Sequence, residues 1–338
     1  MRTAREILLT AIVGLIIMFA LPLVLSHYTL TVLTAFAILA LSLGFVWGYA
    51  GILCFGQAAF YGLGGYAFAI AAINTDMPWL GFLAAILVPA VIAALLGAMM
   101  FYGRLSDVYM AVVTLVFTLI LFKFMNTTAG EAYRIGSARL GGYNGIPGFP
   151  TLTKPWNPND YLYNESLYYF AFLLLIALYV IVQLILKSPF GRALVGIREN
   201  ELRAELMGYD VRLLKTIAFT IGGAIAGIAG CIFANWAEII TPNMFSLGQS
   251  SEIIIWTIVG GAGTLAGPII GAGVLGYLKI ALGENSGLNN FFIMGVVLIA
   301  AVLFLPRGIF PTVQSLLSRL SVGRPRQKQS RRRRSRAG

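Results

Sequence analysis

Residues 29–73 read TLTVLTAFAILALSLGFVWGYAGILCFGQAAFYGLGGYAFAIAAI and contain no charged side chain. They lie within a longer run, residues 7–75, that also lacks Asp, Glu, Lys and Arg. A helix needs about 20 apolar residues to cross the hydrocarbon core of a bilayer, so this run is long enough for several crossings. The whole chain is 59% hydrophobic and only 11% charged, whereas soluble domains carry roughly 25% charged residues. The composition excludes a soluble globular domain and predicts an all-α, polytopic integral membrane protein.

The positive charge of the chain is concentrated near its C-terminus. The formal net charge is +11, but residues 320–338 hold eight Lys or Arg and no acid, which leaves 16 basic and 13 acidic residues elsewhere. We expect residues 321–338 to be a disordered basic tail that lies near anionic lipid headgroups, because such lipids attract basic segments beside a membrane. RNA binding by this tail is the alternative interpretation, and we expect no nucleic-acid partner.

The content of cysteine, histidine and nucleotide-binding motifs argues against an enzyme. Cys54 and Cys231 lie in apolar stretches without CxxC spacing, and His27 is the only histidine. We therefore expect no disulfide, no metal site and no cofactor. The chain also lacks the GxxxxGK[ST] motif, so it does not hold ATP in a P-loop.

Uncharged windows divide residues 1–320 into candidate membrane crossings. We predict about ten crossings, since a helix that rises 1.5 Å per residue crosses in about 20 residues. Basic residues concentrate in cytoplasmic loops, and 19 of the 24 fall inside when the N-terminus is cytoplasmic. This orientation also places the C-terminus inside. The windows are residues 7–26, 29–49, 52–73, 80–102, 108–122, 166–186, 216–236, 253–278 and 289–306.

A glycine-rich break interrupts the apolar stretch at residues 252–282. Residues 260–268 read GGAGTLAGP, and Gly and Pro at this density unwind a helix. The basic C-terminal end lies inside only if one of the last three windows turns back, and we predict that this break makes it turn. The GxxxG spacing favours close helix packing. The functional alternative is a gate or a break in a translocation pathway, formed by Gly260, Gly261 and Gly263.

Few polar groups are expected deep in the membrane. Gln57, which follows Gly56, either bonds a neighbouring helix or contacts a substrate or gate. Glu238 and Glu252 border a predicted external loop, so we expect them to be solvated, and Lys279 is expected to reach the headgroup region. Because ion-coupled carriers usually keep a carboxylate in the membrane, we expect the driving energy to enter elsewhere.

Two loops are longer than the usual connection. Residues 126–165 are predicted to be external and form either an ordered cap or a flexible loop. Residues 187–215 are predicted to be cytoplasmic and hold ten charges of mixed sign. Within them, residues 199–207 favour helix, and Gly208 is suited to the helix stop.

Two stretches together resemble the permease subunits of branched-chain amino acid ABC transporters, and most closely the LivM-type subunit. The first is GILCFGQAAFYG at residues 51–62. The second runs from GRAL at residues 191–194 through RENE at 198–201 to AELMG at 204–208. The resemblance covers most of residues 30–310, and the wider family includes urea and other small-solute permeases.

The resemblance implies a role for each stretch. The chain would form half of a translocation pathway, with Gly56 and Gln57 in it, and a cytoplasmic helix over 192–208 would dock a separate ATPase. A LivH-like second permease subunit, two ABC ATPase subunits and a periplasmic substrate-binding protein would be its partners in the bacterial inner membrane, with lipid around it. The expected ATPase-coupling residues are Arg192, Arg198, Glu199, Glu201, Arg203, Ala204, Glu205 and Gly208.

The residues leave two other classes open. The chain could be a permease for urea or another small solute, since no residue identifies the substrate. It could also be a stand-alone channel or secondary carrier, in which the 187–215 loop serves only to set orientation.

Overall fold

Helices account for most of the residues that the computed structural model describes, which are 2–154, 157–285, 295–296, 299 and 308–312. The helices are α1 (Arg2–Ala20), α2 (His27–Gly48), α3 (Gln57–Thr75), α4 (Pro78–Tyr102), α5 (Asp107–Thr127), α6 (Glu165–Lys187), α7 (Pro189–Glu199), α8 (Glu201–Leu206), α9 (Val211–Ala237), α10 (Leu247–Gly260) and α11 (Ala266–Asn285). Among these, α2, α4, α5, α6 and α9 are long and apolar enough to cross a membrane.

The short strands of the described residues lie between α5 and α6 and directly after α9, at one end of the helices. They are β1 (Arg134–Ile135), β2 (Ala138–Arg139), β3 (Ile146–Pro147), β4 (Thr153–Lys154), β5 (Asn157–Tyr161) and β6 (Ile239–Ile240). Three antiparallel pairs result: β1 with β2, β4 with β5, and β3 with β6. The β3–β6 pair joins the loop between α5 and α6 to the segment after α9.

Polar residues at the helix starts fix where the apolar segments become helical. The side chain of Ser26 accepts a hydrogen bond from the Thr29 amide at the start of α2. Asp210 and Ser246 cap α9 and α10 in the same way. Such a cap satisfies an amide that has no partner within its own helix. The sequence therefore sets these boundaries locally.

Glycines bring α9 into close contact with its neighbours at the centre of the fold. A side chain at Gly64 on α3 would collide with the Gly227 backbone, and one at Gly223 would lie 2.6 Å from Ala93 on α4. Helix α2 packs on the same helix and is buried along nearly its whole length. Small residues permit this approach because apolar helices in a bilayer associate through packing rather than through hydrophobic burial.

Helices α10 and α11 form an antiparallel hairpin. The carbonyl of Trp256 lies against Gly271, and the Glu252 carboxylate is 2.8 Å from the Lys279 ammonium. Gly261, with φ +113°, ends α10 and starts the turn. The chain therefore reverses at the glycine-rich break, as the sequence predicts.

The count of about ten crossings stays a prediction. The described helices include five that meet the length and hydropathy expected of a crossing. Most of the last predicted window, 289–306, and the whole basic tail, 321–338, lie outside the described residues.

Candidate functional site: the charged loop and the helix breaks

The charged segment between α6 and α9 contains two short helices, which corrects the prediction of one helix over 192–208. Ser188 caps α7 by accepting a hydrogen bond from the Gly191 amide. Asn200 interrupts the helix with an extended backbone, φ −161° and ψ 102°, and its side chain accepts from the Arg203 amide at 2.8 Å to start α8. Asn competes with the helix by bonding nearby backbone groups, so it caps a new helix more readily than it continues an old one.

Ala204 and Gly208 have separate structural roles in this segment. Ala204 is buried within the chain, in a small cluster with Ile197 and Val211. Its methyl group therefore packs inward and does not belong to the exposed face of α8. Gly208 has φ +88°, which suits the predicted helix stop because glycine adopts this conformation without steric cost.

The charged residues of the segment divide into anchored and exposed groups. Glu201 pairs with the buried Lys215 of α9 at 2.6 Å, which fastens α8 to that helix. Arg198 donates to the carbonyl of Gly48 at the end of α2 and to Glu199. Arg192 bonds the Lys187 carbonyl, and Arg203 and Glu205 are exposed. Glu205 lines a cavity of about 360 Å³ that also borders Arg104 and Arg212.

The exposed face of α8 carries apolar residues that the sequence reasoning did not select. Leu202, Leu206 and Met207 are exposed, and Leu206 retains 81% of its accessible surface. The spacing of Leu202 and Leu206, four residues apart within a charged loop, is a sequence signal for a shared helix face. We define these three residues as the α8 apolar face.

Gln57 joins three helices at the start of α3. Its amide nitrogen donates to the Ser42 hydroxyl at 2.8 Å and to the Gly222 carbonyl at 3.3 Å. Its amide oxygen is buried without a hydrogen-bond partner in the described part of the chain. Gly56 lies against the backbone of Thr114 on α5, where no side chain would fit. The structure thus supports the packing role of Gln57, and only its amide oxygen is left without a hydrogen-bond partner among the described residues.

The three pathway glycines of the break differ in their surroundings. A side chain at Gly260 would collide with the Gly267 backbone, whereas Gly263 has open space around it. Gly261 has the positive φ that the turn requires. Gly260 therefore serves packing, Gly261 is buried at the turn, and Gly263 is the exposed glycine of the break. The structure brings Ala262 of this turn against Gly48 of α2.

The expectation that Glu252 is solvated is wrong. Its side chain is only 4% exposed and pairs with Lys279, whose side chain is 29% exposed. Helix α10 places this pair within the bundle, beside the buried Trp256 and Ile253. The sequence pattern did not reveal this pair because its two members stand 27 residues apart and meet only when the hairpin closes.

The chain is similar to permease proteins of branched-chain amino acid transport. Residues 24–302 match the family described as the permease component of branched-chain amino acid transport systems. The chain is 28% identical to the high-affinity branched-chain amino acid transport permease LivM of Escherichia coli over 325 residues, which cover 90% of this chain and 75% of that protein. It is 25% identical to the probable LivM of Methanocaldococcus jannaschii, covering 81% and 90%.

A second class of relative is similar over a shorter part. The probable branched-chain amino acid permease LivH of Methanocaldococcus jannaschii is 32% identical over 158 residues, or 44% of this chain and 48% of that protein. No solved structure matches the chain. Because the family match spans most of the sequence, including the Gln57 region, the charged loop and the glycine-rich hairpin, the chain belongs to the permease components of branched-chain amino acid ABC transport systems.

Proposed function

We propose that this chain forms half of the translocation pathway of an ATP-driven importer and docks an ATPase subunit through residues 187–215. The α8 apolar face is the observation that carries the docking proposal. Leu202 and Leu206 are exposed on the short helix α8, and Met207 is exposed directly after it, outside the long apolar helices. Exposed apolar residues rimmed by charged ones are typical of protein interfaces. Glu205 and Arg203 supply that polar rim.

In this proposal, the residues expected from the sequence to contact the ATPase have different roles. Ala204 and Gly208 shape α8 and its exit, and Glu201 fastens it to Lys215. Arg203 and Glu205 are exposed beside the apolar face, and Arg192 and Glu199 are exposed on α7. These charges would set orientation and association rate more than affinity. The apolar face would supply most of the buried contact with the ATPase.

A test of docking compares two exposed apolar residues on opposite ends of the molecule. Leu206→Asp puts a charge in the proposed contact, and Tyr143→Asp makes a similar change in the loop between α5 and α6, where Tyr143 is also highly exposed. We expect Leu206→Asp to lose the co-purifying ATPase and uptake, while Tyr143→Asp keeps the ATPase bound. Full ATPase recovery with Leu206→Asp would contradict the docking surface.

The partners and the orientation follow from the same proposal. A LivH-like permease would complete the pathway, two ABC ATPases would bind on the cytoplasmic side, and a periplasmic substrate-binding protein would meet the cap at 126–165. Both termini would be cytoplasmic and about ten crossings would span the inner membrane. The similarity to both LivM and LivH supports a paired arrangement of related subunits. A stand-alone channel or carrier would instead purify without ATPase or second permease.

The pathway itself is proposed at the helix breaks. Gly56 and Gln57 stand at the start of α3, and Gly260, Gly261 and Gly263 stand at the hairpin turn. Helix α2 connects the two breaks, because Ser42 bonds Gln57 and Gly48 contacts the turn. If the unpaired amide oxygen contacts the substrate as it passes, Gln57→Leu should reduce transport with little change in subunit level.

Branched-chain amino acids are the substrates that the family supports best. Uptake of labelled leucine into membrane vesicles that hold the complete transporter, with and without ATP, tests this directly. Competition by isoleucine and valine, and none by urea, is the expected result. Urea uptake without leucine uptake would favour the small-solute alternative.

A further inference from the structure

We infer that Arg198 is a positioning residue that links the docking segment to the connection between α2 and α3, and that it does not contact the ATPase. The inference rests on the proposed function, since it assigns how motion of the docked α7–α8 segment reaches the pathway. It concerns residues 48–51, which we call the α2–α3 strap. The strap precedes Gly56 and Gln57 by a few residues.

The guanidinium of Arg198 caps the end of α2. Its Nη1 donates to the carbonyl of Gly48, the last residue of that helix, and its Nη2 donates to Glu199 at 2.8 Å. The last carbonyls of a helix have no partner within it, and they carry the negative end of the helix dipole. The Arg198 guanidinium therefore donates a hydrogen bond to an otherwise unpaired carbonyl and places a positive charge at the negative end of the dipole.

The strap and Arg198 approach so closely that no side chain fits between them. Gly51 has φ +70°, a conformation that favours glycine. A Cβ atom placed on Gly51 would lie 2.7 Å from Cγ of Arg198 and 3.3 Å from its Cα. Gly51 therefore lies directly against the Arg198 side chain and close to the backbone of α7.

The opposite side of the strap rests on the hairpin turn. A side chain at Gly48 would collide with the Ala262 carbonyl. Tyr49, the next residue of the strap, lies close to the backbone of Leu265. The strap therefore lies between Arg198 on one side and residues 262–265 on the other.

This arrangement gives the docking segment two separate attachments. Glu201 of α8 is fastened to Lys215 of α9, and Arg198 of α7 is fastened to the strap. A rigid displacement of α7–α8 must then move the strap, and with it the start of α3 and the hairpin turn. Packed elements joined in this way move together, because close-packed contacts do not deform continuously. Arg198 supplies the attachment that reaches both breaks of the pathway.

The test measures uptake per ATP hydrolysed in the complete transporter reconstituted with its binding protein and labelled leucine. Arg198→Gln removes the charge and shortens the side chain, and Gly51→Ala disturbs the same contact from the strap. Gly273→Ala, in α11, outside the docking segment and with open space around it, is the matched control. We expect both test variants to retain the bound ATPase at the wild-type ratio and to lose at least tenfold in uptake per ATP. The control should match the wild type.

The outcomes separate this inference from the proposed function. An unchanged ratio of uptake to hydrolysis in Arg198→Gln would overturn the positioning role while leaving docking intact. Loss of the ATPase from Arg198→Gln, with normal subunit folding, would make Arg198 a docking residue and also overturn it. If Arg198→Gln does not fold, Gly51→Ala decides by the same ratio. A wild-type complex that contains no ATPase would instead refute the proposed function itself.

Discussion

The ion pair between Glu252 and Lys279 offers the most quantitative test of the hairpin. The two side chains are 2.8 Å apart, with 4% and 29% of their surfaces exposed. Removing one member of a buried pair costs about 3–5 kcal/mol, because the other charge stays buried without compensation. We therefore expect Glu252→Gln to lower the free energy of unfolding by about 3 kcal/mol.

A double-mutant cycle isolates the interaction from other effects. The free energy of unfolding is measured by tryptophan fluorescence in mixtures of sodium dodecyl sulfate and a mild detergent. The double variant Glu252→Gln with Lys279→Met buries no charge, so we expect it to recover most of the loss. The exposed pair of Glu131 and Arg139, 3.0 Å apart, is the matched control. Glu131→Gln should change stability by less than about 1 kcal/mol.

Two results would refute this reasoning. One is a Glu252→Gln variant within about 1 kcal/mol of the wild type, which lies below the range expected for a buried pair. The other is a double variant whose loss equals the sum of the single losses, since additivity indicates sites that do not interact.

Four further predictions concern separate parts of the chain. Gly64→Ala should lower the free energy of unfolding by about 1–3 kcal/mol, because its Cβ would collide with the α9 backbone. An unchanged free energy of unfolding would contradict that packing. Gly208→Val should reduce leucine uptake at normal subunit level, because valine does not tolerate φ +88°; uptake assays with matched immunoblots check this. A cysteine at Asn285, with Cys54 and Cys231 replaced by alanine, should react with an impermeant maleimide from the periplasm, and cytoplasmic labelling would contradict the topology. Deletion of residues 322–338 should leave assembly and uptake near normal, and a large loss in the same uptake assay would show that the tail has a required partner.

Local sequence signals predicted the features that depend on a few neighbouring residues. The run of uncharged residues predicted membrane helices, and the glycine-rich motif at 260–268 predicted the reversal between α10 and α11. Gly208 was identified as a helix stop because a single residue type satisfies that conformation. These features need no knowledge of distant contacts.

Features that depend on tertiary contacts were not predictable in the same way. Composition at 199–207 favours helix, yet the Asn200 side chain caps a new one and breaks the segment in two. Ala204 was assigned to a partner, but Ile197 and Val211 on neighbouring helices bury it. Glu252 was expected to be solvated because it borders a predicted external loop, but it pairs with Lys279 of another helix. Each error concerns a side chain whose environment is made by residues distant in sequence.

Helix α9 connects the loop between α5 and α6 to the docking segment. It runs unbroken through 27 residues, or about 40 Å at 1.5 Å per residue. At one end, Asn235 accepts a hydrogen bond from the Leu152 amide of the α5–α6 loop at 2.7 Å, and at the other end Lys215 holds α8. A tilt of this helix about its glycine-packed centre would displace the α5–α6 loop and the docking segment in opposite directions. In the proposed transporter, a protein that binds the loop between α5 and α6 and an ATPase that binds α8 would therefore act on the same helix.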